Sequence, residues 1–229
     1  MGLEFSHILQ KHTLREAEEY ASFHPALQAA WKLIQTGRPS FLAIDGRCGS
    51  GKTRLASWMQ AMFGCGVIHM DDFYLPMDKR GRNWREIPGG NLDFARLRNE
   101  VLVPLSAGNV VCYRPFDCRT GQLREEIRLS PPLLTVVEGS YSMHPALAGH
   151  YEKTFFLTCS KEEQACRLRE REGGHYQTFQ DLWIPLEEQY FRQYGIEHGS
   201  SLVLDTSSFW RNGCGTARAK DEAKKERGT

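Results

Sequence analysis

Long apolar runs are missing from this sequence of 229 residues: nothing approaches the roughly 18 consecutive apolar residues of a membrane-spanning helix. The first twenty residues, MGLEFSHILQKHTLREAEEY, mix charges throughout and lack the apolar core of a signal peptide. Charge of one sign is also missing. With 29 Lys and Arg against 28 Asp and Glu, the net charge is +1, so no global field draws the chain to nucleic acid or to an anionic membrane. Cysteines are few, seven in all, and none forms a CxxC pair. That excludes a disulfide-stapled miniprotein and points to reduced, mostly buried thiols in a cytoplasmic protein. His144 and His150 stand six apart with no Cys or carboxylate at ligand spacing, which argues against a zinc site. Repeats with a period of roughly 20–50 residues are absent too.

What is present is globular. Hydrophobic residues make up 41% and charged residues 25% of the chain, enough to build one domain with a full core. Helical periodicity over residues 4–36 (Phe5, Ile8 and Leu9, then Leu27, Trp31 and Ile34) predicts two helices broken at His24-Pro25. Residues 1–38 are therefore read as a helical N-terminal extension, serving either as a dimerisation element or as a cover for the sheet edge. Short apolar runs at 40–45, 66–70, 133–137, 153–158 and 201–204 read as buried strands. Helical stretches at 52–63, 93–106, 145–151, 161–171 and 179–194 lie between them, with a loop at 76–90 and an antiparallel excursion at 109–129. Strand–helix alternation of this kind predicts an α/β fold: a mostly parallel sheet in a three-layer α/β/α sandwich over residues 39–210. Beyond residue 211 Gly, Ala and charge dominate, which predicts a disordered tail at 211–229.

The strongest motif is Gly46-Arg47-Cys48-Gly49-Ser50-Gly51-Lys52-Thr53, which fits GxxxxGK[ST] at every fixed position. Glycines let backbone N–H groups curl around phosphate oxygens, and the following helix adds its positive end. In that pattern Lys52 reaches the outer phosphates of ATP and the Thr53 hydroxyl ligates Mg²⁺. Glu138 closes the apolar run Leu133–Val137, where a carboxylate can hold Mg²⁺ beside the loop. Asp71 and Asp72 close the strand after the loop's helix. An acid there can orient or deprotonate an attacking hydroxyl. Arg167, Arg169 and Arg171 lie on a charged helix, and Arg167 and Arg171 share one face. They can neutralise a transferring phosphoryl group, or simply pair with Glu162, Glu163 and Glu170. His69 reads as a core histidine, and Trp183 and Tyr190 as pocket wall or core.

In this order the residues resemble the uridine kinase and phosphoribulokinase group of P-loop kinases, over about residues 40–206. Asp71-Asp72-Phe73-Tyr74 is similar to that group's Asp-x-Phe-Tyr, which implies that Asp71 is the catalytic base and that Tyr74 lies at the substrate. Asn91-Leu92-Asp93-Phe94 resembles its sugar-side segment and implies Asp93 as a substrate contact. Pro115-Phe116-Asp117 resembles its Pro-x-Tyr-Asp, which implies that Phe116 and Asp117 line the substrate pocket. Arg167, Arg169 and Arg171 fall at its lid arginines. The pyrimidine-reading His that follows the Tyr-Asp segment is replaced here by Cys118-Arg119-Thr120. The resemblance therefore implies an ATP- and Mg²⁺-dependent kinase of a nucleoside-like or other small metabolite more strongly than it implies uridine. An anionic acceptor held by Arg80, Arg82, Arg85 and Arg114, or a nucleotide-dependent switch, are the competing readings. The expected partners are small molecules, with no nucleic acid and no membrane.

Overall fold

The computed structural model describes residues 14–209. Helix α1 (Leu14–Ile34) leads into β1 (Ser40–Gly46), α2 (Lys52–Phe63) and β2 (Gly66–His69). A 3₁₀ turn, Met70–Phe73, carries the acid pair. Three consecutive segments, Phe94–Leu97, the π turn Arg98–Leu102 and Val103–Ser106, run on as α3. Next come two small antiparallel ribbons. In one, β3 (Val111–Tyr113) pairs with β6 (Ile127–Leu129); in the other, β4 (Phe116–Asp117) pairs with β5 (Gln122–Leu123). The chain then returns through β7 (Leu134–Glu138), β8 (Lys153–Thr158) and α4 (Lys161–Glu172). Tyr176–Thr178, the π turn Phe179–Trp183 and Ile184–Tyr194 form α5, and β9 (Leu202–Asp205) completes the sheet.

The five-stranded sheet has the order β2-β7-β1-β8-β9 and is parallel throughout. Side chains alternate between its faces. Leu42, Ile44, Val136, Phe155 and Leu157 join one core with α1 and α2. Phe41, Val137 and Phe156 join the other with α3 and α5. The three-layer α/β/α architecture expected from the alternation is therefore observed. Chain order passes from β7 on one side of β1 to β8 on the other, so a crevice opens beyond the carboxyl end of β1.

Three expectations need correction. Pro25 does not break the N-terminal helix; α1 continues through it with Pro25 exposed. The stripe Phe23, Ala26, Leu27, Ala30 and Leu33 is buried on both sides of the proline, and that packing holds the helix together. Residues 145–151 form only a 3₁₀ turn, Pro145–Leu147, rather than a helix. Among the described cysteines five are free thiols, but Cys166 is disulfide-bonded. The predicted helical residues 4–13 and the tail 211–229 lie outside the described residues.

Candidate active site

Between β1 and α2 the chain turns through the Gly46–Thr53 loop. Gly46 has φ 133°, and a Cβ there would meet the Leu157 carbonyl oxygen at 2.0 Å, so only glycine fits against β8. Gly51, at φ 95°, turns the chain into α2. The entry is stapled by Asp45, which is fully buried. Its carboxylate accepts from Gly46 N (2.7 Å), Tyr141 N (3.2 Å), Met143 N (2.9 Å) and the Tyr190 hydroxyl (2.8 Å). Burial nevertheless pushes its pKa up to about 6.

Within the loop, Lys52 Nζ donates to the carbonyls of Gly46 (2.6 Å) and Arg47 (3.1 Å). The Arg47 side chain leaves the loop to pair with Glu188 at 2.7 Å and Glu197 at 3.2 Å. Cys48 is buried, and Gln164 Nε2 donates to its carbonyl at 2.9 Å. Burial, with the Glu187 carboxylate beside it, raises the Cys48 thiol far out of the reactive range. Ser50 is fully buried, and its hydroxyl has no partner among the described residues.

Sheet register brings the acids to this loop. Glu138 lies opposite Ile44 of β1 and opposite His69 of β2. The Thr53 hydroxyl donates to Glu138 Oε1 and Oε2 at 3.1 and 3.2 Å, and His69 Nδ1 meets Oε1 at 2.6 Å. His69 is thus half-exposed and tied to the carboxylate rather than sealed in a core. That hydrogen bond raises the pKa of its imidazole. Asp71 opens into the cleft, where the Tyr74 hydroxyl bonds to it. The surrounding protein, and secondarily Glu138, raises its pKa. Asp72 points the other way: buried, it pairs with Arg124 at 2.7 Å and accepts from the Tyr113 hydroxyl. The neighbouring acids therefore divide, one facing the cleft and one fixing the β-ribbon side.

A cleft of about 1010 Å³ gathers Cys48, Gly49, Gly51, Lys52, Thr53, Asp71, Tyr74, Glu138, Arg167 and Arg171. Arg167 reaches back from α4 to donate to the Gly49 carbonyl at 3.1 Å, to Thr206 Oγ1 at 3.0 Å and to the Thr206 carbonyl at 2.6 Å. Arg171 lies on the same face and pairs with Glu172. Arg169 lies off the described lining, over the Tyr176 ring. Asp93 is also off it. Its Oδ1 caps α3 by accepting from Arg96 N, and its own N–H bonds the Phe73 carbonyl. Phe116 is buried on the ribbon next to the 70–73 turn, and Asp117 accepts from Arg119 N and Thr120 N in the ribbon's own turn.

Among the lining residues that escaped the sequence reading, three charged ones stand out. Glu19, on α1, is buried and takes Arg54 at 2.7 Å and Trp58 Nε1 at 3.0 Å. Arg54, the residue after Thr53, is drawn into the wall by that pair. Glu187, on α5, sends a buried carboxylate into the loop itself, where it accepts from Cys48 N at 2.9 Å and from the Ser140 hydroxyl. Each meets its partner across a long stretch of chain, and no local pattern marks it.

A parallel sheet with a glycine loop at the switch point, and a Thr–Glu pair beside it, gives a three-layer α/β/α fold of the P-loop type. Solved structures share that fold. One described as a possible uridine kinase from Bacillus stearothermophilus has a TM-score of 0.60 at 21% identity, covering 73% of this chain and 89% of that one. Another, described provisionally as a fructose transport system kinase from a Silicibacter species, has a TM-score of 0.58 at 19% identity, covering 72% and 89%. No protein-family profile and no curated protein sequence matches the chain. No described helix is long and apolar enough to cross a membrane.

Proposed function

We propose that the protein is an ATP-dependent phosphotransferase that moves the γ-phosphoryl group to a hydroxyl of a nucleoside-like or other small metabolite. The observation that carries this reading is the Thr53–Glu138 contact at 3.1 Å, facing Asp71 across one cleft. Hydroxyl and carboxylate oxygens are hard donors of the kind Mg²⁺ prefers, with nucleotide phosphates and water completing its shell. Among the described residues no group of three His, Cys, Asp or Glu could hold a metal alone, which suits an ion that arrives with its nucleotide. When bound, Mg²⁺ would neutralise charge developing on the transferred group.

The chain's own residues supply the rest. The 46–53 loop binds phosphate through backbone N–H groups, and Lys52 exchanges carbonyl contacts for phosphate oxygens. Asp71, held by Tyr74, orients the acceptor hydroxyl and takes its proton as the new O–P bond forms. Arg171 adds charge from the α4 face, while Arg167 holds the loop against Thr206.

A neutral hydroxyl acceptor is favoured over an anionic one. None of Arg80, Arg82, Arg85 and Arg114 is among the described cleft residues. Arg80 and Arg85 lie over the Trp84 ring at 4.8 Å, and Arg114 is held by the carbonyls of Leu123 and Arg124.

The test is coupled ADP release with Mg-ATP across nucleosides, sugars, vitamins and their monophosphates, beside Asp71→Asn. The expected result is turnover of one acceptor class that falls at least about 100-fold in the variant while nucleotide still binds. Tight nucleotide binding with no acceptor-dependent release would replace the enzyme with a nucleotide switch.

A further inference from the structure

Resting on the nucleotide reading above, we propose that Glu187 is a specificity-determining residue: its carboxylate stands at the outer-phosphate end of the loop and weakens triphosphate binding relative to diphosphate. Three donors that suit a phosphate converge near this carboxylate. Cys48 N–H donates to Oε2 at 2.9 Å, and the Ser140 hydroxyl donates to Oε1. Lys52 Nζ stands 3.4 Å from the same Ser140 oxygen. Glu187 is only 5% exposed, yet it lines the cleft.

Its position along the loop follows from the neighbours. Ser140 comes two residues after Glu138, on the side where Thr53 and Glu138 meet, and Lys52 is the residue that reaches outward along a polyphosphate chain. Glu187 therefore faces the last phosphate rather than the nucleoside end. Two anions cannot share the Cys48 N–H and the Ser140 hydroxyl, so a terminal phosphate has to displace the carboxylate. α5 also carries Phe179 and Trp183 into the cleft wall.

The experiment is calorimetric titration of the full chain with MgADP and with the Mg²⁺ complex of a β,γ-imido triphosphate. Glu187→Gln keeps an oxygen for Cys48 N–H and removes the charge. Its expected effect is about tenfold tighter triphosphate binding, because juxtaposed like charges are costly in a closed site, with ADP affinity within about twofold of the parent. Glu188→Gln, one residue on and paired with Arg47, is expected to leave the triphosphate-to-diphosphate ratio unchanged. Equal shifts for both nucleotides in Glu187→Gln, or weaker binding of both, would make Glu187 a builder of the loop and overturn the proposal. Should Glu187→Gln not fold, Glu187→Asp, whose shorter side chain draws the charge back, is expected to raise the same ratio, and an unchanged ratio overturns the proposal. A parent protein that binds neither nucleotide removes the nucleotide reading itself, and this inference with it.

Discussion

Asp45 is a carboxylate with four donors and no contact with solvent, and burial outweighs all four. Its folded pKa of about 6 lies above the ordinary aspartate value of 3.8, so the native state binds the proton more tightly than the unfolded chain does. Between those values the unfolded chain releases a proton that the native state keeps, and stability falls as pH rises. The shift corresponds to about 3 kcal/mol lost from this one group between pH 4 and 6. Asp71, Asp72 and His69, all raised, act in the same direction. Asp45→Asn removes only its own share. Urea unfolding at pH 4, 5, 6 and 7 is expected to show the variant gaining on the parent by about 3 kcal/mol across that window. A difference that stays constant with pH would show that Asp45 titrates normally. Residues of this kind mark how far the sequence could be read. The loop, Asp71 and Glu138 were legible because their chemistry sits in local patterns at strand ends. The tie between His69 and Glu138 was not, because it depends on β2–β7 register. Glu187 meets Cys48 across 139 positions, and no spacing rule reaches that far.

Strands and most helices were legible because apolar period and turn residues agree with the fold. The irregular turns were less so, although they have a sequence cause. Both π turns, Arg98–Leu102 and Phe179–Trp183, end two residues before a proline, Pro104 and Pro185. A proline ring crowds the carbonyl four residues earlier and removes one donor, and a widened turn relieves the crowding. α1 meets the same problem without a π turn. Pro25 leaves the Ala21 carbonyl without its usual partner, while Ser22 Oγ bonds the Glu18 carbonyl at 2.9 Å and adds to the local bending tendency. Because Pro25 is exposed, Pro25→Ala restores a helix hydrogen bond at no cost in packing. The gain is partly cancelled by a freer unfolded chain, leaving a net stabilisation of about 1 kcal/mol. Thermal unfolding of the single variant checks this. A loss of stability would mean that the proline sets a bend the core needs.

At the scale of the whole molecule, α1 belongs to the same apolar core as the loop's helix. Phe23, Ala26, Leu27 and Ala30 pack in one cluster with Leu55 and Met59 of α2 and with Leu42 and Ile44 of β1. Glu19, itself buried, adds an ion pair from α1 to the half-exposed Arg54, one residue beyond Thr53. Sequence reading set these residues apart because the motif begins at β1, and helical periodicity alone does not say which surface a stripe covers. If α1 is part of one cooperative unit, damage to its buried stripe has to be felt at the loop. Leu27 is 1% exposed, and Leu27→Ala is expected to cost about 2–5 kcal/mol through lost burial and a residual cavity. Far-UV circular dichroism, which follows the helices, and tryptophan fluorescence, which includes Trp58 on α2, are expected to report one coincident transition, displaced together in the variant. Two transitions in circular dichroism, one early and one at the parent's midpoint, would make α1 a separable element. The cleft would then stand without it. Coincidence instead ties the stability of the phosphate loop to a helix that begins well before the motif.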